Sequence, residues 1–254
     1  MTVTPIQAVL FDMGGTLEDL YYDDDSRRKA TRGLNALLIE RGLDPGLSLP
    51  DLQAAVLSGM QAYQAWREKS EIELPPERVW AEYIFPNRSL SQDRLIQAAE
   101  DMTIFYDNNY HVRSLRPEAP EALEALHRRG FQLGIISNII SRRAVPLNLQ
   151  AYGIAGYFGT VITSSSLGWR KPNPRIFQEA ARLLGLPPAA CAYVGDTISR
   201  DVIGARRAGY GLAIQIKSFL TSKADEGTPA DAGQPDAVIH DLTQVVGLVA
   251  QDGH

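Results

Sequence analysis

The sequence predicts an α/β fold: a doubly wound parallel sheet with an inserted all-helical domain. Three observations predict it. A short apolar run, Val9-Leu10-Phe11, ends abruptly at Asp12 and a glycine-rich turn. From about residue 26 to 107, apolar residues recur at helical spacing. After residue 115, helical stretches alternate with short apolar runs, the pattern of strands and helices that wrap a parallel sheet.

The elements follow in order. The run at 7–11 is the first strand. SRRKATRGLNALLIERG puts Ala30, Leu34, Leu37 and Leu38 on one helix face, with Ser26 as its N-cap and Gly42 as its stop. SLPDLQAAVLSGMQAYQAW repeats the spacing through Leu52, Val56, Met60, Tyr63 and Trp66, and Ser48 with Asp51 forms a capping box. PPERVWAEYIF and SQDRLIQAAEDMTIFY complete the helical block. Then PEALEALHRRG is a helix, FQLGIISN a strand, 142–152 a helix and GTVITSS a strand. NPRIFQEAARLLG is helical, CAYVGD a strand and SRDVIGARRAG helical. GLAIQI and DAVIHD close the sheet before a last helix, LTQVVGLVAQ, and KADEGTPADAGQPD between them is a polar loop. The expected domains are an α/β core at 1–19 and 112–254 and a helical insertion at 20–111.

Composition narrows the function class. A chain of 254 residues with 44% hydrophobic and 22% charged residues is ordinary for a globular protein. A net charge of −5 argues against nucleic acid or an anionic membrane as partner. Cys191 is the single cysteine, so neither an internal disulfide nor a multi-cysteine metal site can form. No apolar run approaches the ~20 residues of a membrane helix, and MTVTPIQAVLFD does not read as a secretory signal. The expectation is a soluble, cytoplasmic protein whose partner is a small molecule.

In doubly wound sheets, ligands bind beyond the carboxyl ends of the strands. Four such ends carry chemistry here. The first gives Asp12 and Thr16, the second Ser137 and Asn138. The third leads to Lys171 in GWRKPNP, and the fourth gives Asp196, with Asp201 following. Carboxylates of this kind are hard oxygen ligands suited to Mg²⁺. A lysine and a hydroxyl beside them can hold a nucleophile and a phosphoryl group. Attack by Asp12 on phosphorus would give an aspartyl-phosphate for water to hydrolyse.

With these residues in place, the sequence resembles the haloacid dehalogenase-like (HAD) hydrolase superfamily. FDMGGTL resembles its first motif, normally DxDGT; IISN resembles the second, RKPNP the third and VGDTISRD the fourth. The helical block resembles the cap of the family's subgroup I. The resemblance implies Asp12 as nucleophile, with Asp12, Asp196, Asp201 and the Gly14 carbonyl at Mg²⁺. It also implies Thr16, Gly15, Ser137, Asn138 and Lys171 around the phosphate of a small metabolite. A plainer reading stands beside it: Asp201 could simply occupy the first turn of its helix, and Trp169 and Arg170 could belong to the site or to the surface.

The first motif departs from the pattern at Gly14, where the family's phosphatases carry the aspartate that protonates the leaving alcohol. Such acid–base help is worth about 10²–10⁴ in rate. One reading is a phosphatase with an acid from elsewhere, Glu18 and Asp19 being nearest, or with a substrate whose leaving group needs no proton. Another is a C–P hydrolase resembling phosphonoacetaldehyde hydrolase, which needs a cap lysine; Lys29 and Lys69 are the two available. A dehalogenase is disfavoured by the intact acid pair in GDTISRD. A non-catalytic HAD-like binding protein is the remaining alternative.

Overall fold

The computed structural model describes residues 4–87, 90–218, 225 and 233–250. Among the described residues, eight strands run in chain order: β1 Ala8–Phe11, β2 Glu18–Tyr21, β3 Val112–Leu115, β4 Gln132–Ser137, β5 Phe158–Thr163, β6 Cys191–Gly195, β7 Leu212–Ile216 and β8 Ala237–Ile239. Six of them form one sheet in the order β5-β4-β1-β6-β7-β8, and every pairing is parallel. The chain leaves β1 toward β4 and β5 on one side, then crosses to β6 on the other. The order therefore reverses at β1, the switch point where such sheets bind ligands.

Burial explains the strand sequences. All residues of β1 and β6 are buried, so these strands read as unbroken apolar runs rather than alternations. Ala8, Leu10, Cys191 and Tyr193 pack with Ile176, Phe177, Ala180 and Ala205 from helices Pro174–Leu183 and Ile203–Ala208. Successive side chains alternate across the sheet, so Val9 and Phe11 face the other layer. Gly134 is required by packing, because a Cβ there would stand 2.8 Å from the Thr160 methyl.

The chain divides into two compact units, one of residues 1–20, 113–138 and 145–254, the other of 21–112 and 139–144. The second is helical, with helices Asp24–Glu40, Leu49–Ser70 and Gln92–Asn109 around a core of Leu34, Val56, Tyr63, Trp80 and Met102. Residues 139–144, expected in the α/β core, group with this unit. Ile140 joins its apolar core, and Ser141 Oγ and Arg143 N both donate to Glu100 Oε1, at 2.6 and 3.0 Å.

Other differences are local. The first long helix is capped by Asp23, not Ser26; Ser26 sits three residues later and closes a reciprocal box with it. The acidic run YYDDDSRRK thus serves as a helix start. Ser48 caps its helix, accepting from Asp51 N at 3.3 Å, but in place of the expected reciprocal box its hydroxyl donates to Asp51 Oδ2 at 2.6 Å. β2 and β3 form a two-stranded sheet that the sequence pattern did not reveal, because EDLY and VRSL lack an apolar signature. Of the polar loop KADEGTPADAGQPD, only Asp225 and 233–236 lie within the described residues. Among the described residues, no helix is long and apolar enough to cross a membrane.

One buried contact in the helical unit is testable. The Tyr63 hydroxyl donates to Glu73 Oε1 at 2.5 Å and accepts from Leu74 N at 2.8 Å. The Glu73 side chain is fully buried, with Arg67 3.6 Å away. Tyr63→Phe should therefore lower unfolding free energy in denaturant titration by about 1–3 kcal/mol. An unchanged midpoint would show that this network contributes no net stability.

Candidate active site

Asp12 directly follows β1, and its N–H donates to Val194 O at 2.9 Å, so the sheet's main chain fixes the root of the side chain. The turn beyond closes on Met13 O, which accepts from Leu17 N at 2.9 Å and Glu18 N at 3.0 Å. Gly15 has φ +89, and a Cβ there would collide with Asp196 Oδ2. Glycine is needed for the conformation and for the close approach. Ser137, at the end of β4, is buried. Thr16 is fully buried, and its Oγ1 has no hydrogen-bond partner among the described residues.

Lys171 is placed by its main chain and saturated at its head. Asn138 Oδ1 accepts from Lys171 N at 2.8 Å, and Asn138 Nδ2 donates to Lys171 O at 3.0 Å. Lys171 Nζ lies 2.7 Å from Asp12 Oδ1 and 2.7 Å from Asp201 Oδ1. It also donates to the Tyr193 hydroxyl at 2.8 Å, which in turn donates to Ile136 O at 3.0 Å. Two carboxylate oxygens and one hydroxyl therefore surround the ammonium, equal in number to its three protons.

The acids are not equivalent. Asp201 Oδ2 accepts from Thr197 Oγ1 at 2.6 Å and Thr197 N at 3.0 Å. Burial opposes its charge, but Lys171, Arg200 and the bonds from Lys171 and Thr197 hold its pKa below the ordinary value. Asp201 does lie in a first helical turn, Ile198–Val202, with its carboxylate turned into the cluster. Asp12 is raised, chiefly by burial, against the pull of Lys171. Asp196 is pushed up to about 7 by burial and then by Asp201 and Asp12. Its Oδ2 accepts from Ser218 Oγ at 2.7 Å, and its buried Oδ1 has no hydrogen-bond partner among the described residues.

A divalent cation fits this arrangement. Asp12, Asp196 and Asp201 each offer a carboxylate oxygen within 4.8 Å of the others. All are hard donors, Asp196 Oδ1 lacks a partner, and Lys171 balances only part of the charge.

Several sequence expectations change here. Glu18 and Asp19, the nearest candidate acids, are both engaged in ion pairs. The Glu18 side chain is fully buried and pairs with Arg113 Nη1 at 2.7 Å. It also accepts from the Tyr152 hydroxyl at 2.9 Å and Asn148 Nδ2 at 3.3 Å. Asp19 pairs with Arg116 at 3.4 Å. Nor is position 14 an empty slot, since a Cβ there would stand 2.9 Å from Leu20 Cδ1 and 3.5 Å from Arg113 Nη1. Gly15 N donates to Glu18 O at 2.8 Å, and the Asn138 amide is engaged with the Lys171 main chain. Arg170, left open between site and surface, is buried; Trp169 stacks against Arg175 at 4.4 Å. Tyr193, Ser218 and Arg116 were not found from the sequence. Tyr193 left one faint signal, a polar tip inside the apolar run CAYVG.

The comparisons with known proteins give the family. The model for haloacid dehalogenase-like hydrolases matches residues 6–209. The chain is a haloacid dehalogenase-like hydrolase. This hydrolase is 31% identical over 250 residues to a glyceraldehyde 3-phosphate phosphatase of Methanopyrus kandleri, covering 97% of this chain and 100% of that protein. It is 31% identical over 252 residues to a phosphoglycolate phosphatase of Vibrio vulnificus, covering 98% of both. Among solved structures it resembles the 2-haloacid dehalogenase from Pseudomonas syringae pv. Tomato DC3000. There the TM-score is 0.65 and the identity 25%, covering 97% of this chain and 99% of that one.

Tyr193 supplies the prediction. Tyr193→Phe removes one acceptor of a buried ammonium and should cost about 1–3 kcal/mol in denaturant unfolding. A variant as stable as the parent would show that the Lys171 head finds another acceptor.

Proposed function

We propose that this hydrolase is a Mg²⁺-dependent phosphatase of a small phosphorylated metabolite, acting through an aspartyl-phosphate on Asp12. The observation that carries the reading is the buried Asp12 carboxylate, 2.7 Å from Lys171 and clustered with Asp196, whose Oδ1 has no partner. The phosphatase names of two full-length relatives support it.

Asp12, Asp196, Asp201 and the Gly14 carbonyl would hold Mg²⁺. When bound, the cation would offset the excess negative charge of the acids and of an incoming phosphate. Lys171 keeps Asp12 ionised and aimed. The Thr16 and Ser137 hydroxyls donate to phosphoryl oxygens. Asp12 then attacks phosphorus in line, and the bond to the leaving oxygen breaks. Water hydrolyses the aspartyl-phosphate and restores the carboxylate. Asn138 and Tyr193 hold the lysine rather than the phosphate.

Leu20 fills the place of a side chain at position 14, so the leaving oxygen departs from this side of the site without a local acid. Rates should depend steeply on leaving-group pKa. With Mg²⁺, acetyl phosphate and p-nitrophenyl phosphate should turn over far faster than alkyl phosphates, and Asp12→Asn should abolish both activities. Activity surviving in Asp12→Asn would sink the nucleophile assignment. Halide release from a 2-haloacid without added cation would reassign the chemistry. Gly14→Asp combined with Leu20→Ala should raise kcat/KM toward alkyl phosphates by about 10²-fold. No gain in a folded double variant would remove the role assigned to the gap.

A further inference from the structure

The Asp196 carboxylate stands between two walls. One is the Gly15 turn, so close that a Cβ on Gly15 would collide with Asp196 Oδ2. The other is Ser218, whose hydroxyl donates to the same oxygen at 2.7 Å. The main chain of Asp196 is fixed separately, its carbonyl accepting from the buried Gln215 Nε2 at 3.1 Å. What the walls control is the direction of the carboxylate.

Both walls lead back to one nitrogen. Arg116 Nη2 donates to the carbonyl of Lys217, the residue before Ser218, at 3.0 Å. The same nitrogen donates to the carbonyl of Gly15 at 3.4 Å. Arg116 is only 7% exposed. Its own N–H donates to Leu17 O at 2.9 Å, and its guanidinium pairs with Asp19 at 3.4 Å and Glu118 at 3.5 Å. A planar guanidinium gripped in this way is a rigid spacer, which a lysine's single flexible ammonium is not.

We propose that Arg116 is a positioning residue for the cation site: it sets the gap between the Gly15 turn and Ser218, and thereby the affinity of the Asp196 carboxylate for a divalent cation. The proposal rests on the magnesium-dependent reading above and adds to it the residue that tunes cation binding from outside the acid cluster. Among the described residues, the hydrogen bonds that Arg116 donates and its ion pairs go to Gly15, Leu17, Asp19, Glu118 and Lys217 rather than to Asp12, Asp196 or Asp201, so its effect passes through Gly15 and Ser218.

The test is calorimetric titration of Mg²⁺ into the full-length protein, which reads binding without turnover. Removing groups that orient a metal ligand costs about 10–100-fold in affinity. Arg116→Lys and Ser218→Ala should each weaken Mg²⁺ binding by about that factor. Their combination should bind about as weakly as the worse single variant, because both act on one carboxylate. Activity of each should recover toward the parent value at saturating Mg²⁺, a pattern that general destabilisation does not produce. Tyr63→Phe is the control, lowering stability with the Mg²⁺ affinity unchanged. Parent-like Mg²⁺ affinity in both Arg116→Lys and Ser218→Ala would overturn the proposal and leave the phosphatase reading intact. If Arg116→Lys does not fold, Ser218→Ala decides by the same criterion. A parent protein that takes up no Mg²⁺ overturns the magnesium reading and this proposal together.

Discussion

The Lys171 ammonium, wedged between Asp12 and Asp201, is the interaction on which the site depends. Removing two carboxylates and an ammonium from water is costly, and only close geometry with every donor matched offsets it. The fold supplies that geometry from four directions. β1 delivers Asp12, the turn after β6 delivers Asp201, Asn138 grips the lysine's main chain, and Tyr193 reaches up from β6 to take its third proton. Tyr193 is anchored in turn on Ile136 O, so the lysine's head is tied back to the neighbouring strand β4.

Asp196 differs in kind from its neighbours. Asp201 and Asp12 each have the lysine ammonium 2.7 Å from one carboxylate oxygen, whereas Asp196 Oδ1 is buried with neither a hydrogen bond nor an ion pair among the described residues. Burial, then the nearby Asp201 and Asp12 carboxylates, oppose its charge and push its pKa up to about 7. An acid left in this condition inside a folded protein is unstable as a purely structural feature. It is intelligible as one half of a contact completed by a cation.

Much of this was legible in the sequence, and the reason is physical. Strands buried on both faces must be apolar along their whole length, so β1 and β6 announced themselves, and the polar residue that ended each run marked the crevice. The helical periodicity from Ala30 to Met102 was plain because each helix buries a single stripe. β2 and β3 escaped notice because a small two-stranded sheet with exposed positions needs no apolar code. Ser26 was misplaced by one helical turn because either partner of a reciprocal cap satisfies the same local pattern. Arg116 and Ser218 were invisible for a different reason. Their roles are set by carbonyls brought together from positions 15 and 217, and no local pattern encodes a meeting of that range. Glu18 looked like a free acid until Arg113, Asn148 and Tyr152 were seen converging on it.

The position of β1 in the sheet also governs how the chain is made. Ala8 is registered against Gln132 on one side and Cys191 on the other, so the N-terminal strand waits for both partners to emerge during synthesis. Through that interval the nascent chain carries an apolar segment with two unpaired edges. Sheets built from such distant pairings form slowly and expose adhesive edges on the way. The same centrality that shelters Asp12 in the finished enzyme leaves its strand with both edges open before the fold is complete.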